Sequence, residues 1–168
     1  LGLDSSFFSY PFGEYSNNFK NIVKDLGFKY AFGQHSGVSD ETKDFYELPR
    51  FSINEKYGKI ERFKLILKTI PLKFKSITPT EKYITDTNNP PVVTIQFFKD
   101  IKNIKLLNCY SNELNKWRKS EIEYLSDFKI KIKLVGKFTT ERGRVNCSLR
   151  EPNGSWRWLG VQFVVANL

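Results

Sequence analysis

The periodicity of apolar residues changes once along this chain, near Pro71, and that change restricts the folds available to it. Before Pro71 short apolar strands alternate with helical segments, whereas from residue 92 short strands follow one another with turn residues between them. Alternating strands and helices favour parallel strands covered by helices, and many short strands favour an antiparallel sandwich. We therefore predict an α/β part followed by an all-β part.

The first part begins with a strand over 7–10, a turn over 11–15 and a helix that Ser16 caps. Apolar residues at helical spacing define this helix, Gly27 ends it, and a strand over 28–33 follows. A further strand is predicted over 48–53, and a second amphipathic helix ends at Pro71. The turn after the first strand lies where strand–helix–strand units place ligands, at the carboxyl end of a strand.

Seven short strands are predicted after an irregular connection over 72–91, which contains three prolines. These strands are 92–98, 104–110, 115–118, 121–125, 128–135, 143–149 and 156–165. A chain of 168 residues can form one domain or two small ones. No apolar run is long enough to span a bilayer, so no transmembrane segment is expected.

Basic residues outnumber acidic ones, 27 to 18, which gives a formal net charge of +9 and a pI of about 9.5. Such a balance favours anionic partners, and a polyanion-binding protein is one weaker hypothesis. The lysines are spread, however, and over 129–134 they alternate with apolar residues, which is typical of a solvated strand face that protects a sheet edge. No basic helix or zinc-finger spacing is present, so nucleic acid is not an expected partner.

Two cysteines, Cys109 and Cys147, are too few for a disulfide scaffold and do not form a C-x-x-C pair. Each lies in a predicted strand of the second part. The sequence leaves two states open: one bridge across a sheet, or two buried thiols that pack as small apolar side chains.

The turn at Tyr10-Pro11-Phe12-Gly13 is the first candidate site. Pro11 fixes one backbone angle and Gly13 permits an unusual one, so the amide of Phe12 can point outward rather than into a strand ladder. An outward amide at the carboxyl end of a strand is a natural donor to the oxyanion of an acyl-transfer intermediate.

Residues 7–54 resemble the polysaccharide deacetylase family, the carbohydrate esterases related to the nodulation deacetylase. The family carries a short x-Pro-Tyr/Phe-Gly motif that matches the turn over 10–13, and the segments GQHSG at 33–37 and LPR at 48–50 also look like it. More weakly, GRVNC at 143–147 and WRWLG at 156–160 resemble the sandwich appended to some of these enzymes.

The resemblance implies the C-terminal portion of a polysaccharide deacetylase, a hydrolase that removes N-acetyl groups from a glycan by breaking carbon–nitrogen amide bonds. Residues 1–71 would be the C-terminal part of a β/α barrel, 72–91 a connection and 92–168 an accessory sandwich. The fold class is then α/β plus all-β, a partial (β/α) barrel segment followed by an antiparallel β-sandwich. In this family the motif lines the active-site groove, so Tyr10, Pro11 and Gly13 are expected to bind an N-acetylated polysaccharide while the Phe12 amide stabilises the oxyanion.

Family members hold a divalent, zinc-like metal through one Asp and two His from motifs that precede the turn. This chain has one histidine, so no metal is expected to bind it alone, and the chain by itself is expected to be inactive. Leu1 is not an initiator methionine, and we expect a missing N-terminal half, or another chain, to complete the enzyme. The compartment, cytoplasm or cell envelope of a bacterium, is left open.

His35 follows a predicted strand on the same side as the turn, where a general acid would be useful. The family's catalytic histidine belongs to a Leu-x-His motif, whereas the sequence here reads Leu48-Pro49-Arg50, so that role does not transfer to His35. It is either an active-site group or an ordinary loop histidine. Arg50 is expected to contact an anionic substrate group or to form a surface salt bridge.

Trp156 and Trp158 lie two apart on a predicted strand and therefore share a face with Gln162. They form either a platform on which a sugar ring stacks, with Trp117 or Tyr110 nearby, or the seam where the sandwich docks on the first part. The first interpretation gives an alternative function, a carbohydrate-binding or assembly β-sandwich module without catalysis.

Overall fold

A computed structural model describes residues 5–166 and shows a chain built mainly of β-strands, with two short helices. The helices are α1 (Asn17–Asp25) and α2 (Ile60–Leu67). The strands are β1 (Phe7–Ser9), β2 (Tyr30–Phe32), β3 (Ile70–Pro71), β4 (Phe74–Thr78), β5 (Tyr83–Ile84), β6 (Val93–Phe97), β7 (Asn108–Ser111), β8 (Arg118–Lys119), β9 (Glu121–Ser126), β10 (Lys129–Lys133), β11 (Arg142–Arg150) and β12 (Trp156–Val165).

Two sheets enclose the main core. One has the strand order β4-β6-β10-β9, and the other has the order β3-β12-β11-β7-β8, with β5 paired to the far end of β12. Successive side chains of a strand point to opposite faces, so Val93, Ile95 and Phe97 of β6 are all buried. The same alternation buries Ile130 and Ile132 of β10 and leaves the lysines between and beside them on the outer face.

A disulfide lies inside this core. Cys109 of β7 and Cys147 of β11 are directly opposite each other in the antiparallel register, and both are buried. Of the two states that the sequence left open, the structure has the bridge.

The first part of the chain has its own small core. β1 and β2 form a parallel two-stranded sheet, to which a single bridge between Phe32 and Leu48 is added. Helix α1 starts at the predicted cap, where Ser16 Oγ accepts a hydrogen bond from Phe19 N at 3.1 Å. The buried side chains at this end are those of Tyr10, Tyr15, Val23 and Ala31.

The predicted fold class is wrong. Within residues 5–166 the two-stranded sheet and the two helices do not make a partial (β/α) barrel, and the chain is mainly all-β. The strand predicted over 48–53 contributes only the bridge at Leu48. Its second residue, Pro49, has no backbone N–H to donate to a ladder.

Several other boundaries differ from the prediction. The connection over 72–91 contains β4 and β5, which pair with strands of the two opposite sheets. The strand predicted over 104–110 is a 3-10 turn at Ile104–Leu106 followed by β7, and a second 3-10 turn, Glu113–Asn115, precedes the short β8. By contrast, β12 has the predicted bounds, and β6, β10 and β11 differ from theirs only at the ends.

Helix α2 does not bury the apolar face that its spacing predicted. Ile60, Phe63 and Leu67 are 55 %, 41 % and 69 % exposed, so the described part of the chain leaves this stripe largely uncovered. Neither α1 nor α2 is long and apolar enough to cross a membrane, and residues 5–166 contain no other helix that is.

Candidate functional site

The Pro11–Gly13 turn follows the end of β1 and holds Phe12 in a left-handed backbone conformation, with φ of 55° and ψ of 9°. Gly13 N donates to Tyr10 O at 2.8 Å, and Glu14 N donates to Pro11 O at 3.0 Å. Among residues 5–166 no group accepts a hydrogen bond from the Phe12 amide, and the Phe12 side chain is exposed. The turn therefore leaves one backbone N–H outside strand pairing.

Two glutamines hold this turn in place. Gln162 of β12 is almost fully buried and donates from Nε2 to Gly13 O at 3.2 Å and to Phe12 O at 3.4 Å. On the other side, Gly13 has a φ of 71° and lies so close to Gln34 that a Cβ at position 13 would overlap the Gln34 backbone. The turn is thus fixed between β12 and the loop over 33–37.

An ion pair also connects the turn to β11. Arg142 Nε donates to Glu14 Oε1 at 2.6 Å, and the Arg142 guanidinium lies 5.1 Å from the centroid of the Phe12 ring. Both charged side chains are partly exposed. The contact keeps the exposed Phe12 ring against the sandwich, since a guanidinium is attracted to an aromatic face.

His35 lies inside the loop over 33–37 and is 8 % exposed. Burial, and after it the positive charge of Lys82, lowers the pKa of His35 to about 4, so the ring is neutral near pH 7. Its Nδ1 has no hydrogen-bond partner in the part of the chain that the structure describes. Gly33 leaves room for the ring, because a Cβ there would lie 2.7 Å from His35 Nδ1.

Arg50 is held close to the same loop. Its backbone N donates to His35 O at 3.0 Å, and its Nη1 donates to Ser9 Oγ at the end of β1, at 3.1 Å. Arg50 therefore joins β1 to the loop over 33–37, and its known contacts are with the protein's own neutral groups.

A cavity of about 220 Å³ lies between this loop and β12. His35, Lys43, Lys82 and Trp158 contribute to its wall. Lys82 Nζ donates to two backbone carbonyls at 2.8 and 3.1 Å, and burial lowers the pKa of both Lys82 and Lys43. The indole Nε1 of Trp158 is buried and has no partner among the described residues.

A larger, more open groove of about 440 Å³ lies on the other side of His35 and Trp158, and we call it the aromatic groove. Four aromatic rings and two guanidinium groups line it, those of Tyr57, Tyr110, Trp117, Trp158, Arg62 and Arg144. Three of these rings are 41–52 % exposed. Flat apolar faces next to hydrogen-bond donors suit a ligand that has both a ring face and polar substituents.

Trp156 and Trp158 share the outer face of β12, but only Trp158 lines the aromatic groove. Its ring packs edge-on against Phe51, with 5.7 Å between the centroids. Gly160 on the same face lies against Ser36, where a Cβ would overlap the Ser36 backbone. Much of this face is therefore the seam where the first part of the chain docks, and Trp156 lies apart from the groove.

Tyr10 supports the turn from beneath. It is 1 % exposed, and its Oη donates to Tyr46 O at 2.9 Å. Pro11 instead lines a shallow surface depression together with Phe12. Among the candidates from the sequence, the structure therefore brings the turn, His35, Arg50 and Trp158 to the loop over 33–37, whereas Trp156 is separate.

The described residues contain no cluster of the side chains that usually hold a metal. Within 5–166 no three His, Cys, Asp or Glu side chains come together as ligands. His35 is the one imidazole of the chain, and both cysteines are in the disulfide. These residues do not fit a zinc-like metal, so we derive no metal-dependent step from them.

The sequence analysis missed Tyr57, Arg62 and Arg144 in the aromatic groove and named Trp117 and Tyr110 only as neighbours of the tryptophans. No short motif contains these residues, because folding brings them together from α2, two loops and the strands β7 and β11. One signal was present. Alternation along β11 places Arg144 on the face opposite the core residues Val145 and Cys147.

No protein-family model matches the sequence, and no curated protein matches it either. The function is therefore argued from the turn, the loop over 33–37 and the aromatic groove.

Proposed function

We propose that this chain is the C-terminal portion of a polysaccharide deacetylase, to which it contributes an oxyanion-stabilising amide and part of the glycan-binding surface. The observation that carries the proposal is the Phe12 N–H, which has no acceptor among residues 5–166 and lies in a turn fixed from two sides. A donor held in advance where negative charge develops stabilises the transition state without reorganisation. In the complete enzyme, a divalent metal would be held by residues outside this chain.

The position of the aromatic groove supports the same proposal. Gln34 packs against Gly13 in the turn and also lines the groove, so the two features share one side chain. A sugar chain lying across the aromatic rings would extend toward the turn that carries the Phe12 amide. Sugar rings present apolar faces that pack on aromatic side chains, and their hydroxyls need hydrogen-bond partners.

Exposed apolar side chains support the presence of further polypeptide. Phe7, Ile22, Leu26 and Leu67 are 48–70 % exposed, and all belong to the first part of the chain. Large exposed apolar side chains are found on surfaces that another segment covers. The missing N-terminal half of the enzyme, or another chain, would cover them.

The test is acetate release from N-acetylated oligosaccharides by the complete natural polypeptide that carries this chain. Gly13→Ala places a Cβ against the Gln34 backbone and moves the turn, so we expect kcat to fall by about 100-fold, the effect of losing one oxyanion donor. Gly27→Ala is the matched control, because Gly27 also has a positive φ but has open space around it. We expect its kcat to stay near the wild-type value.

Two results would contradict the proposal. One is a complete polypeptide that folds and releases no acetate from any N-acetylated glycan. The other is an equal loss of kcat in both glycine variants, since the contact with Gln34 would then have no catalytic consequence.

The aromatic groove also favours a second candidate function, a carbohydrate-binding or assembly module without catalysis. Trp117 and Tyr110 are half-exposed at the groove, as a sugar-stacking surface requires. Oligosaccharide binding by a polypeptide that releases no acetate would favour this second function over the first.

A further inference from the structure

We propose that the aromatic groove binds a carboxylate-bearing sugar unit, so that the glycan recognised by this protein is acidic. The inference rests on the proposed glycan-binding function and names its substrate class. It starts from the charges of the groove. Arg62 and Arg144 line it, and no Asp or Glu side chain of the described residues does.

Arg144 is a guanidinium without a carboxylate partner. Its Nε donates to the amide oxygen of Gln162 at 3.2 Å, and within residues 5–166 it forms no ion pair. Burial, and after it the neighbouring Arg142, lowers the pKa of Arg144, and these effects outweigh the opposite effects of Tyr57 and Glu14. An anionic group in the groove would compensate the positive charge of Arg144.

Arg62 faces the groove from α2 in a comparable state. Its Nη1 donates to Ser52 O at 3.0 Å and to Tyr57 O at 3.1 Å, and the guanidinium lies 5.2 Å from the centroid of the Tyr57 ring. These contacts orient the guanidinium but do not neutralise it, and the described residues offer it no carboxylate. A planar guanidinium donates in parallel to both oxygens of a carboxylate, so each arginine matches that group in shape as well as in charge.

The aromatic rings of the groove would contact the part of the ligand that carries no charge. Trp117 and Tyr110 are half-exposed and line the groove together with Arg144, and Trp158 lines it as well. A uronic-acid residue has both required features, an apolar ring face and one carboxylate. The groove volume of about 440 Å³ accommodates one or two such residues rather than a double helix.

The experiment is a calorimetric titration of the full chain with three probes of similar length. The probes are an oligogalacturonate, the same oligosaccharide with its carboxyl groups reduced to alcohols, and a single-stranded oligonucleotide. We expect the oligogalacturonate to bind at least about tenfold more tightly than the reduced probe, because hydrogen bonds to a charged group are worth more than those to a hydroxyl. Added salt should weaken this preference.

Three variants locate the site. We expect Arg144→Gln and Arg62→Gln each to abolish the preference for the acidic probe, and Trp117→Ala to weaken both oligosaccharides alike. Arg150→Gln is the matched control, because it removes a guanidinium from the same strand, β11, at an exposed position outside the groove. It changes the net charge equally and should keep the preference. Arg62 and Trp117 are surface positions, so their variants remain informative if Arg144→Gln does not fold.

Each other outcome overturns the inference in a recognisable way. Equal binding of the acidic and reduced probes would show that the groove does not recognise the carboxylate, although it still binds a glycan. Loss of the preference in Arg150→Gln, or tighter binding of the oligonucleotide, shows general polyanion attraction. If the folded chain binds no oligosaccharide, the groove is not a glycan-binding site. The proposed function is then still tested separately, by acetate release from the complete polypeptide.

Discussion

The Phe12 backbone is held against its own preference. A non-glycine residue in the left-handed region costs roughly 1–2 kcal/mol, and here it follows a proline in a three-residue turn. The contacts that hold it there come from distant residues, the Gln162 amide and the Arg142 guanidinium. Unfavourable backbone conformations of this kind tend to occur at functional sites, where the surrounding structure holds them in place.

His35 gives a prediction about pH. Its folded-state pKa of about 4 lies below its ordinary value of 6.5, so the unfolded chain binds the proton more readily. The contribution of His35 to stability is therefore complete above pH 6.5 and is lost as the pH falls toward 4. Between pH 7 and pH 5 we expect this residue to lower the free energy of unfolding by about 2 kcal/mol, measured by urea denaturation.

His35→Gln is the comparison for that measurement. The variant has no group that titrates at this position, so its free energy of unfolding should fall less than that of the wild type between pH 7 and pH 5. The difference between the two slopes is the quantity to compare, since it does not depend on how stable the variant is at pH 7. Identical slopes would show that His35 is not buried in its neutral form.

Among the secondary-structure elements, β12 packs against a different part of the protein on each of its two faces. Leu159 and Phe163 point into the sandwich core, whereas Gly160 and Gln162 receive the loop over 33–37 and the Pro11–Gly13 turn. The docking depends on Gly160, which has no side chain, and on Gln162, two residues further on, whose side-chain amide is buried. This pairing is what connects the sandwich to the candidate site.

Gln162→Leu tests the docking. The change keeps the side chain about as large but leaves the carbonyls of Phe12 and Gly13 and the Arg144 Nε without their partner. We expect a loss of about 1–3 kcal/mol in the free energy of unfolding and faster hydrogen exchange in residues 10–16. Mass spectrometry of the exchanged protein provides the second readout.

Gln96→Leu serves as the control for this variant, because Gln96 of β6 also donates to a backbone carbonyl, Phe128 O at 3.1 Å, but lies in the other sheet. It should leave exchange in residues 10–16 unchanged. Equal exchange in both variants would mean that Gln162 does not hold the turn.

Local patterns were sufficient for some elements and insufficient for others. Alternating apolar residues identified β12 and β11, and the Ser16 cap with Gly27 identified α1, because in each case the signal lies within the element. The barrel interpretation failed because a strand–helix–strand pattern does not say how many further strands lie beside it. β4 and β5 were missed because they lie in a proline-rich segment and gain their hydrogen bonds only from distant strands.

In the candidate site, too, some residues could be recognised from local patterns and others could not. The turn over 10–13 was recognisable from Pro11 and Gly13, whose effects on the backbone are local. Gln34, Arg144 and Gln162 were not recognised as its neighbours or as part of the groove, since they meet only when β11 and β12 pair and the loop over 33–37 packs on them. Burial of His35 was likewise a product of packing and not of any motif.

For the chain as a whole, the basic residues that give the net charge of +9 do not all have the same surroundings. Cross-strand pairs such as Lys133 with Glu121, at 2.7 Å, neutralise part of the basic face of β10. The arginines of the aromatic groove have no such carboxylates among the described residues, which is why the groove and not the lysine face is the proposed anion site. The exposed apolar residues of α1 and α2 carry no charge and take no part in this anion site.

The most direct test of the proposed oxyanion donor is the Phe12 amide proton, observed by NMR in the full chain. We expect it to exchange with solvent much faster than the amides of Gly13 and Glu14, which are hydrogen-bonded within the turn. Addition of an N-acetylated oligosaccharide should shift the Phe12 resonance and slow its exchange. A Phe12 amide that is already protected in the free protein, or that does not respond while the glycan binds elsewhere, would contradict its proposed role as an oxyanion donor.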